Sequence, residues 1–239
     1  SSDLFGIMTA PAQVEYHDIQ RVWQEADALP EIEHAWLYDH LMPIFGDPLG
    51  PAYEGWTLLS ALAAQTQRLR LGLLVTSNRF RPPAMLAKIA ATVDVVAGGR
   101  LDFGVGAGWN EYEHESMGIP LYAPGERIRR LGEACALTRM LWTQDLTDYD
   151  GRYYQLKEAR LNPKPIQQPY PPMVIGGSGE QLTLRVVAEH ADIWNVTSTD
   201  VEMFWHKQQV LAEHCAAVGR DPGEIERSVQ VRVAYDDLP

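Results

Sequence analysis

The chain has 239 residues, 46% of them hydrophobic, which is enough to build one domain with a sizeable core. A formal net charge of −12 argues against sequence-independent binding to nucleic acid or to an anionic membrane. No apolar run approaches the roughly 18–20 residues that cross a bilayer, and the sequence does not open with a basic and then apolar leader. We therefore expect a cytoplasmic protein with neither a membrane nor a nucleic-acid partner.

Short apolar segments alternate with helix-like segments along the whole chain. The predicted strands are Leu4–Met8, His34–Tyr38, Leu71–Val75, Leu101–Val105, Met173–Ile175, Asp192–Trp194 and Ser228–Val233. Apolar residues at helical spacing lie between them, and the last helix opens with a capping-box pattern at Thr199 and Glu202. Strands separated by helices predict parallel pairing with right-handed crossovers.

This alternation is typical of a (β/α)8 barrel, which needs eight strands where seven are predicted here. The alternation of strand-like and helix-like segments is interrupted between residues 143 and 172, and we interpret this stretch as an excursion outside the barrel. We predict one barrel domain over residues 1–239, from which the C-terminal part of the barrel is missing. Cys135 and Cys215, far apart in helix-like patterns, give no disulfide framework and no zinc spacing, so we expect two buried thiols and no metal site.

Polar residues follow the second and third predicted strands, at the barrel end where active sites lie. Asp39 and His40 place a carboxylate beside an imidazole, which suits proton transfer near neutral pH, although a loop-capping aspartate and a partly exposed histidine would give the same pattern. Thr76 and Asn78 are candidate polar anchors for a ligand. Arg79 and Arg81 follow, either to contact an anion or to lie in solvent.

Glycines follow the fourth and fifth predicted strands. The stretch G-V-G-A-G-W-N-E-Y-E at 104–113 permits close approach of the backbone to a ligand, and a tight turn explains it equally well. The stretch I-G-G-S-G-E-Q at 175–181 runs into a predicted helix, whose free N–H groups favour a phosphate. Alternatively, Ser178 and Gln181 form a capping box that satisfies the helix end without a ligand.

Three stretches together resemble the F420-dependent branch of the luciferase-like oxidoreductases. They are R-P-P-A-M-L-A-K-I-A-A-T-V-D-V-V-A-G-G-R-L-D-F-G-V-G-A-G-W-N-E at 81–111, W-L-Y-D-H-L at 36–41 and P-P-M-V-I-G-G-S-G-E at 171–180. The resemblance implies a TIM barrel that binds coenzyme F420 and exchanges a hydride with a small organic substrate. It also implies a homodimer.

The resemblance further implies roles for individual residues. His40 would exchange a proton near the reactive ring, and Asp39 would orient it or bind the ring edge. A non-proline cis peptide at Gly72–Leu73 would support the ring. The implied wall and phosphate contacts are Ala107, Gly108 and Trp109, and Gly176, Gly177 and Ser178. The alternatives are an FMN-dependent monooxygenase of the same superfamily and a non-catalytic protein that binds flavin or F420.

Overall fold

The computed structural model describes residues 3–197 and 200–233. In chain order the strands are β1 (Gly6–Thr9), β2 (His34–Leu37), β3 (Arg70–Leu73), β4 (Thr76–Ser77), β5 (Leu101–Gly106), β6 (Thr147–Asp150), β7 (Gln155–Ala159), β8 (Met173–Gly176), β9 (Ile193–Val196) and β10 (Glu226–Val229). The helices are α1 (Tyr16–Ala28), α2 (Gly55–Ala63), α3 (Pro83–Val96), α4 (Glu111–Ser116), α5 (Pro124–Thr143), α6 (Thr183–His190) and α7 (Val201–Val218). A short 3-10 turn, Pro222–Glu224, precedes β10.

The main sheet is parallel and follows the order of the chain. Its order is β1-β2-β3-β5-β8-β9-β10, and β4 also pairs with β5. Helices connect successive strands, and the central strand β5 is buried on both faces, with all six of its residues buried. Within the described residues the sheet is open, with β1 and β10 at its edges. The described chain is therefore an open part of a (β/α) barrel, as the alternating pattern predicts.

The core lies between the sheet and the helices packed on it. Its largest fully buried side chains include Trp23 of α1, Trp56 of α2 and Trp194 of β9. Each indole N–H has an acceptor: Thr9 Oγ1 for Trp23, Thr76 Oγ1 for Trp56 and Gly177 O for Trp194, at 2.9, 3.3 and 2.8 Å. Aromatic rings with a polar edge are stable in such positions only when that edge is paired.

β6 and β7 form a separate antiparallel hairpin within residues 143–172. One carboxylate fastens the hairpin turn to α5. Glu133 accepts hydrogen bonds from the backbone N–H groups of Arg152, Tyr153 and Tyr154, at 2.9, 2.9 and 3.2 Å. The excursion is thus attached to the outside of the barrel through a side chain of a barrel helix.

Several boundaries differ from the predicted ones. α6 begins at Thr183, and Leu182 at its N-cap makes no side-chain capping bond, so the capping box predicted at Ser178 and Gln181 is wrong. The N-cap of α7 is Asp200, whose side chain accepts from Met203 N; the predicted cap, Thr199, lies outside the described residues. The last strand ends at Val229, four residues before its predicted end.

Both cysteines are free and buried, as predicted. Burial raises the pKa of the Cys135 thiol to about 12. Within the part of the chain that the structure describes, no helix is long and apolar enough to cross a membrane.

Candidate active site

A cavity of about 380 Å³ lies at the carboxyl ends of the parallel strands. This volume is within the usual range for small-molecule sites, and the position is where barrel enzymes hold their substrates. Six strand-end segments contribute to its wall. The lining residues are Tyr38, Asp39, His40, Leu74, Val75, Thr76, Ser77, Phe80, Gly106, Ala107, Gly108, Trp109, Glu113, His114, Arg127, Ile128, Gly176, Gly177, Thr183, Asn195, Thr197 and Gln230.

His40 is paired with a buried glutamate. Its Nδ1 lies 2.8 Å from Glu113 Oε2, and the Glu113 side chain has no exposed surface. The other carboxylate oxygen accepts from Leu41 N at 2.5 Å. Glu113 is held in place because Asn110 caps α4, accepting from Glu113 N at 3.3 Å. A histidine whose one nitrogen faces a carboxylate is suited to hold or pass a proton at the other nitrogen.

Aromatic rings fix the plane of the His40 imidazole. Tyr38 and Trp109 pack edge-on against it, with ring centroids at 5.5 and 5.6 Å. Burial raises the pKa of the Tyr38 phenol, so this hydroxyl stays protonated at neutral pH and can donate into the cavity. Trp109 is 62% exposed and forms the rim of the cavity.

Asp39 does not orient His40, and that part of the prediction is wrong. Its buried carboxylate pairs with Arg81 (Nη1 to Oδ2, 2.6 Å) and accepts from the Thr76 hydroxyl. Arg81 also contacts Glu54 and is only 12% exposed, so it is neither solvated nor available to an external anion. Burial alone would lower the pKa of Arg81, but the hydrogen bond and the charge of Asp39 raise it. Asp39 and His40 thus both line the cavity but have different partners.

The non-proline cis peptide is Leu74–Val75, two residues beyond the position implied by the resemblance. Leu74 and Val75 line the cavity, whereas Gly72 and Leu73 are buried in β3 and do not. A Cβ at Gly72 would collide with Asp102 O and with the Trp36 ring. The assignment of Gly72 and Leu73 to the cofactor is therefore corrected, and the glycine is required by strand packing.

Thr76 and Asn78, predicted together as polar anchors, have different surroundings. Thr76 lines the cavity, although its hydroxyl is engaged with Asp39. Asn78 is 1% exposed and lies outside the lining, where its backbone N–H donates to Gly106 O at 2.9 Å. Asn78 thus links the turn that follows β4 to the end of β5 through this hydrogen bond, and it does not line the cavity.

Both predicted glycine segments reach the cavity. Ala107, Gly108 and Trp109 line it after β5. Gly176 and Gly177 line it after β8, whereas Ser178 does not. Because α6 begins only at Thr183, its first N–H groups do not directly follow these glycines.

The lining residues that were not singled out from the sequence include Glu113, His114 and Arg127. The signal for the first two was present in the stretch N-E-Y-E-H, since an N-cap asparagine followed by acidic residues begins a helix. Nothing local marks Arg127, which reaches the cavity only because α5 begins beside it. No cluster of histidine, cysteine or acidic residues that could hold a metal ion occurs among residues 3–197 and 200–233.

A strand-end cavity with a buried acid–base pair, in a parallel βα barrel, is the arrangement of a barrel enzyme. Residues 4–239 match the family model described as luciferase-like monooxygenase. The chain belongs to this luciferase-like family.

Relatives in the family use different cofactors. The chain is 32% identical over 206 residues to the F420-dependent glucose-6-phosphate dehydrogenase of Microbacterium testaceum, covering 85% of this chain and 60% of that protein. It is 33% identical over 146 residues to the FMNH2-dependent dimethylsulfone monooxygenase of Pseudomonas putida, covering 61% of this chain and 39% of that protein. The chain therefore spans about 60% or less of the length of these curated relatives.

A solved structure shares the fold. It is an F420-dependent secondary alcohol dehydrogenase in complex with an F420-acetone adduct, with a TM-score of 0.85 and 22% identity. The match covers 95% of this chain and 68% of that one. At this identity the likeness establishes the fold alone.

Proposed function

We propose that this chain is an F420-dependent oxidoreductase that transfers a hydride between C5 of the deazaflavin and a small organic substrate. The observation that carries the proposal is the buried His40–Glu113 pair at the wall of the strand-end cavity. Hydride transfer to or from a carbonyl, imine or alcohol carbon is accompanied by proton transfer at the heteroatom, and this pair is built to handle that proton.

The residues around the cavity fit a flat cofactor with a polar chain. Leu74 and Val75 offer an apolar surface at the strand ends, and Ala107 and Gly108 form a wall with little side-chain bulk. F420, when bound, supplies or accepts the hydride, and the protein supplies orientation and a site that excludes water. The same surfaces would hold the ring, and Gly176 and Gly177 would complete the wall.

His40 and Glu113 would act on the substrate proton. With Nδ1–H donated to Glu113, neutral His40 has an acceptor at Nε2, which takes the proton of an alcohol as that alcohol is oxidised. The buried carboxylate stabilises the resulting imidazolium. In the reverse direction the imidazolium returns the proton to the reduced heteroatom.

Equilibrium binding of F420 and, in parallel, of FMN, followed by fluorescence, tests the cofactor. Tighter binding of F420 is expected. For the proton role, His40→Ala should lower hydride transfer by about 10²–10⁴-fold. His17→Ala, at an exposed position on α1, is the matched control. Turnover of His40→Ala within about threefold of the wild type would remove the general acid–base assignment.

The second candidate is an FMN-dependent monooxygenase. It is favoured by the match to the Pseudomonas putida enzyme and by the description of the family model. Preferential binding of FMN, with oxygen consumption by the reduced complex, would establish it in place of the first. A protein that binds either cofactor yet turns over no acceptor would be a non-catalytic binding protein.

A further inference from the structure

The helix that carries Glu113 is not packed into the barrel. Among the described elements none packs extensively against α4, although Glu113 in the middle of this helix is 0% exposed. A short helix without a packed face depends for its position on side-chain contacts and on the segments at its ends. Whatever holds α4 therefore also holds the Glu113 carboxylate at 2.8 Å from His40 Nδ1.

Two consecutive residues after β4, Arg79 and Phe80, contact α4 and the segment that follows it. The Phe80 ring packs against the ring of His114 in α4, with centroids 4.9 Å apart. The Arg79 side chain donates from Nε to Pro120 O, in the following segment, at 3.1 Å. Arg79 is itself anchored at the strand end, because its backbone N–H donates to Ser77 Oγ at 3.2 Å. The end of β4 thus holds both α4 and the segment behind it.

Tyr122 adds a third contact to the segment after α4. The Cζ atoms of Arg79 and Arg130 lie 4.6 and 4.1 Å from the centroid of its ring. Arg130 is fixed in turn by Glu126, whose Oε1 accepts from Arg130 Nε at 2.9 Å. Guanidinium groups stack favourably on aromatic rings. We call Arg79, Tyr122 and Arg130 the Tyr122 stack.

The backbone at Tyr122 indicates that the stack constrains this segment. Tyr122 has φ +67°, in the left-handed region that a bulky residue rarely adopts. Such a conformation persists only when the surroundings enforce it. The segment also continues directly from α4, because Ile119 N donates to His114 O at 2.8 Å. A displacement of Tyr122 would therefore move the end of α4 as well.

We propose that Tyr122 and Arg79 are positioning residues for the acid–base pair, because their stack keeps α4 in the place where Glu113 reaches His40. The inference rests on the proposed function, since it assigns the stack to the proton-transfer step. Neither Tyr122 nor Arg79 lines the cavity, so both act through Glu113. Without the stack the carboxylate leaves Nδ1 for part of the time, and His40 is no longer held in the tautomer with Nδ1–H.

Two variants of Tyr122 test the stack. Tyr122→Leu removes the aromatic ring, and we expect it to slow hydride transfer by about 10-fold or more, since a small misplacement of a catalytic group is costly. The dissociation constant of the cofactor should stay within about threefold of the wild type. Tyr122→Phe keeps the ring and should restore the rate. Tyr153→Leu is the matched control, because Tyr153 also stacks on Arg130, at 4.4 Å, but does not belong to the segment after α4.

A double-mutant cycle separates positioning from a general structural effect. In the Glu113→Gln background, Tyr122→Leu should cause little further loss, because the group that the stack positions has already been changed. An equal loss in both backgrounds would show that Tyr122 does not act through Glu113, and this overturns the proposal. Wild-type rates in Tyr122→Leu, or a loss of the same size in Tyr153→Leu, also overturn it.

Histidine NMR tests the same step without a cofactor. Long-range ¹H–¹⁵N spectra report the tautomer of each imidazole, and the signals of His40 are those lost in His40→Ala. The Nδ1–H form should dominate in the wild type and be mixed with the other tautomer in Tyr122→Leu. If the wild type transfers no hydride, the proposed function fails and this spectrum alone decides: a changed tautomer balance supports the positioning role, and an unchanged one overturns it. Urea unfolding verifies that each variant folds, and Arg79→Gln replaces Tyr122→Leu if the latter does not fold.

Discussion

Glu113 determines which nitrogen of His40 carries a proton. As a carboxylate it can only accept, so His40 must present Nδ1–H to it, and Leu41 N–H occupies the other oxygen. Replacing the carboxylate by an amide keeps the shape of the side chain and adds donors. The tautomer of His40, and not the shape of the cavity, would then change.

We expect Glu113→Gln to lower hydride transfer by about 10²–10⁴-fold, because the amide can donate to Nδ1 and so move the ring proton to Nε2. The dissociation constant of the cofactor should change by less than about threefold, since the cavity wall is preserved. Stopped-flow rates and fluorescence titration measure the two quantities. Glu111→Gln, at an exposed position of the same helix, is the control. Wild-type rates in Glu113→Gln would contradict the role of the pair.

Sequence reasoning found His40 but not its partner, for a physical reason. Asp39 is adjacent in the chain, whereas Glu113 is 73 residues away and contacts His40 only after β2 and β5 have joined the same sheet. Adjacent residues at a strand end point in different directions, so the nearest carboxylate in sequence is the wrong one. A local sequence pattern can predict which side chain carries the chemistry, but it does not predict which distant residue that side chain contacts.

At the scale of the elements, Gly104 marks the point where the backbone of β5 lies closest to the backbone of β3. The sequence predicted that glycines of this segment bring backbone near a ligand, and a Cβ at Gly104 would instead collide with Leu73 O of the neighbouring strand. Residue 104 must therefore be glycine because β5 packs closely against β3 at Leu73, the residue before the cis peptide Leu74–Val75. Composition alone cannot distinguish a glycine needed by a ligand from one needed by a strand.

Gly104→Ala should therefore destabilise the protein strongly, by about 3 kcal/mol or more, because the obstructing atom is backbone that cannot rotate away. Gly132→Ala is the matched control, since a Cβ there meets only Val186 at 3.6 Å in the middle of α5. That control should be neutral or stabilising by up to about 1 kcal/mol. Urea unfolding followed by tryptophan fluorescence measures both. Equal stability of the two variants would contradict the packing argument.

The end of α6 makes stability depend on pH. Burial, together with the charges of Arg139 and Arg220, lowers the pKa of His190 from 6.5 to about 4, and the charge of Glu189 opposes this shift. Between these two pH values the unfolded chain binds a proton that the folded protein does not. The free energy of unfolding should therefore fall as the pH decreases from 6.5 to about 4, and this contribution is fully present above pH 6.5.

His190→Asn should flatten this dependence, because asparagine does not titrate. Relative to the wild type, the loss of stability between pH 6.5 and 4.5 should shrink by as much as about 2–3 kcal/mol. Urea unfolding at closely spaced pH values gives the difference curve. His17→Asn, an exposed histidine on α1, should follow the wild type. Parallel curves for His190→Asn and the wild type would show that His190 does not titrate as described.

At the scale of the whole molecule, the parallel fold was predictable because it repeats one pattern. Every predicted strand found a place in the sheet, since apolar runs between amphipathic helices leave few other arrangements. The short helix α4 and the cavity residues it carries were not found, because a helix of 6 residues has no usable periodicity. The homodimer implied by the resemblance stays a prediction.

The open edges of the sheet give a prediction about association. Val231 and Val233, beyond β10, are 60% and 66% exposed, and Phe5, before β1, is 64% exposed. Unpaired strand edges with apolar flanks favour edge-to-edge contacts. Val231→Lys with Val233→Lys should reduce concentration-dependent self-association of the 239-residue chain, as measured by light scattering. Val201→Lys, equally exposed on α7, is the control, and an effect of similar size there would exclude the edge as the cause. A dimer formed through helices would survive both changes.

The attachment of the β6–β7 hairpin has a consequence for how such a chain can diversify. The hairpin contributes no strand to the parallel sheet and is fastened by the Glu133 carboxylate to backbone N–H groups, which every residue except proline possesses. The bonds to Glu133 therefore do not depend on which side chains the turn carries. The sequence of this segment can change during evolution without altering the register of any barrel strand. The segment lies near the cavity, because its Tyr153 stacks on Arg130, one helical turn from Arg127. The surroundings of the cavity can thus evolve separately from the acid–base pair.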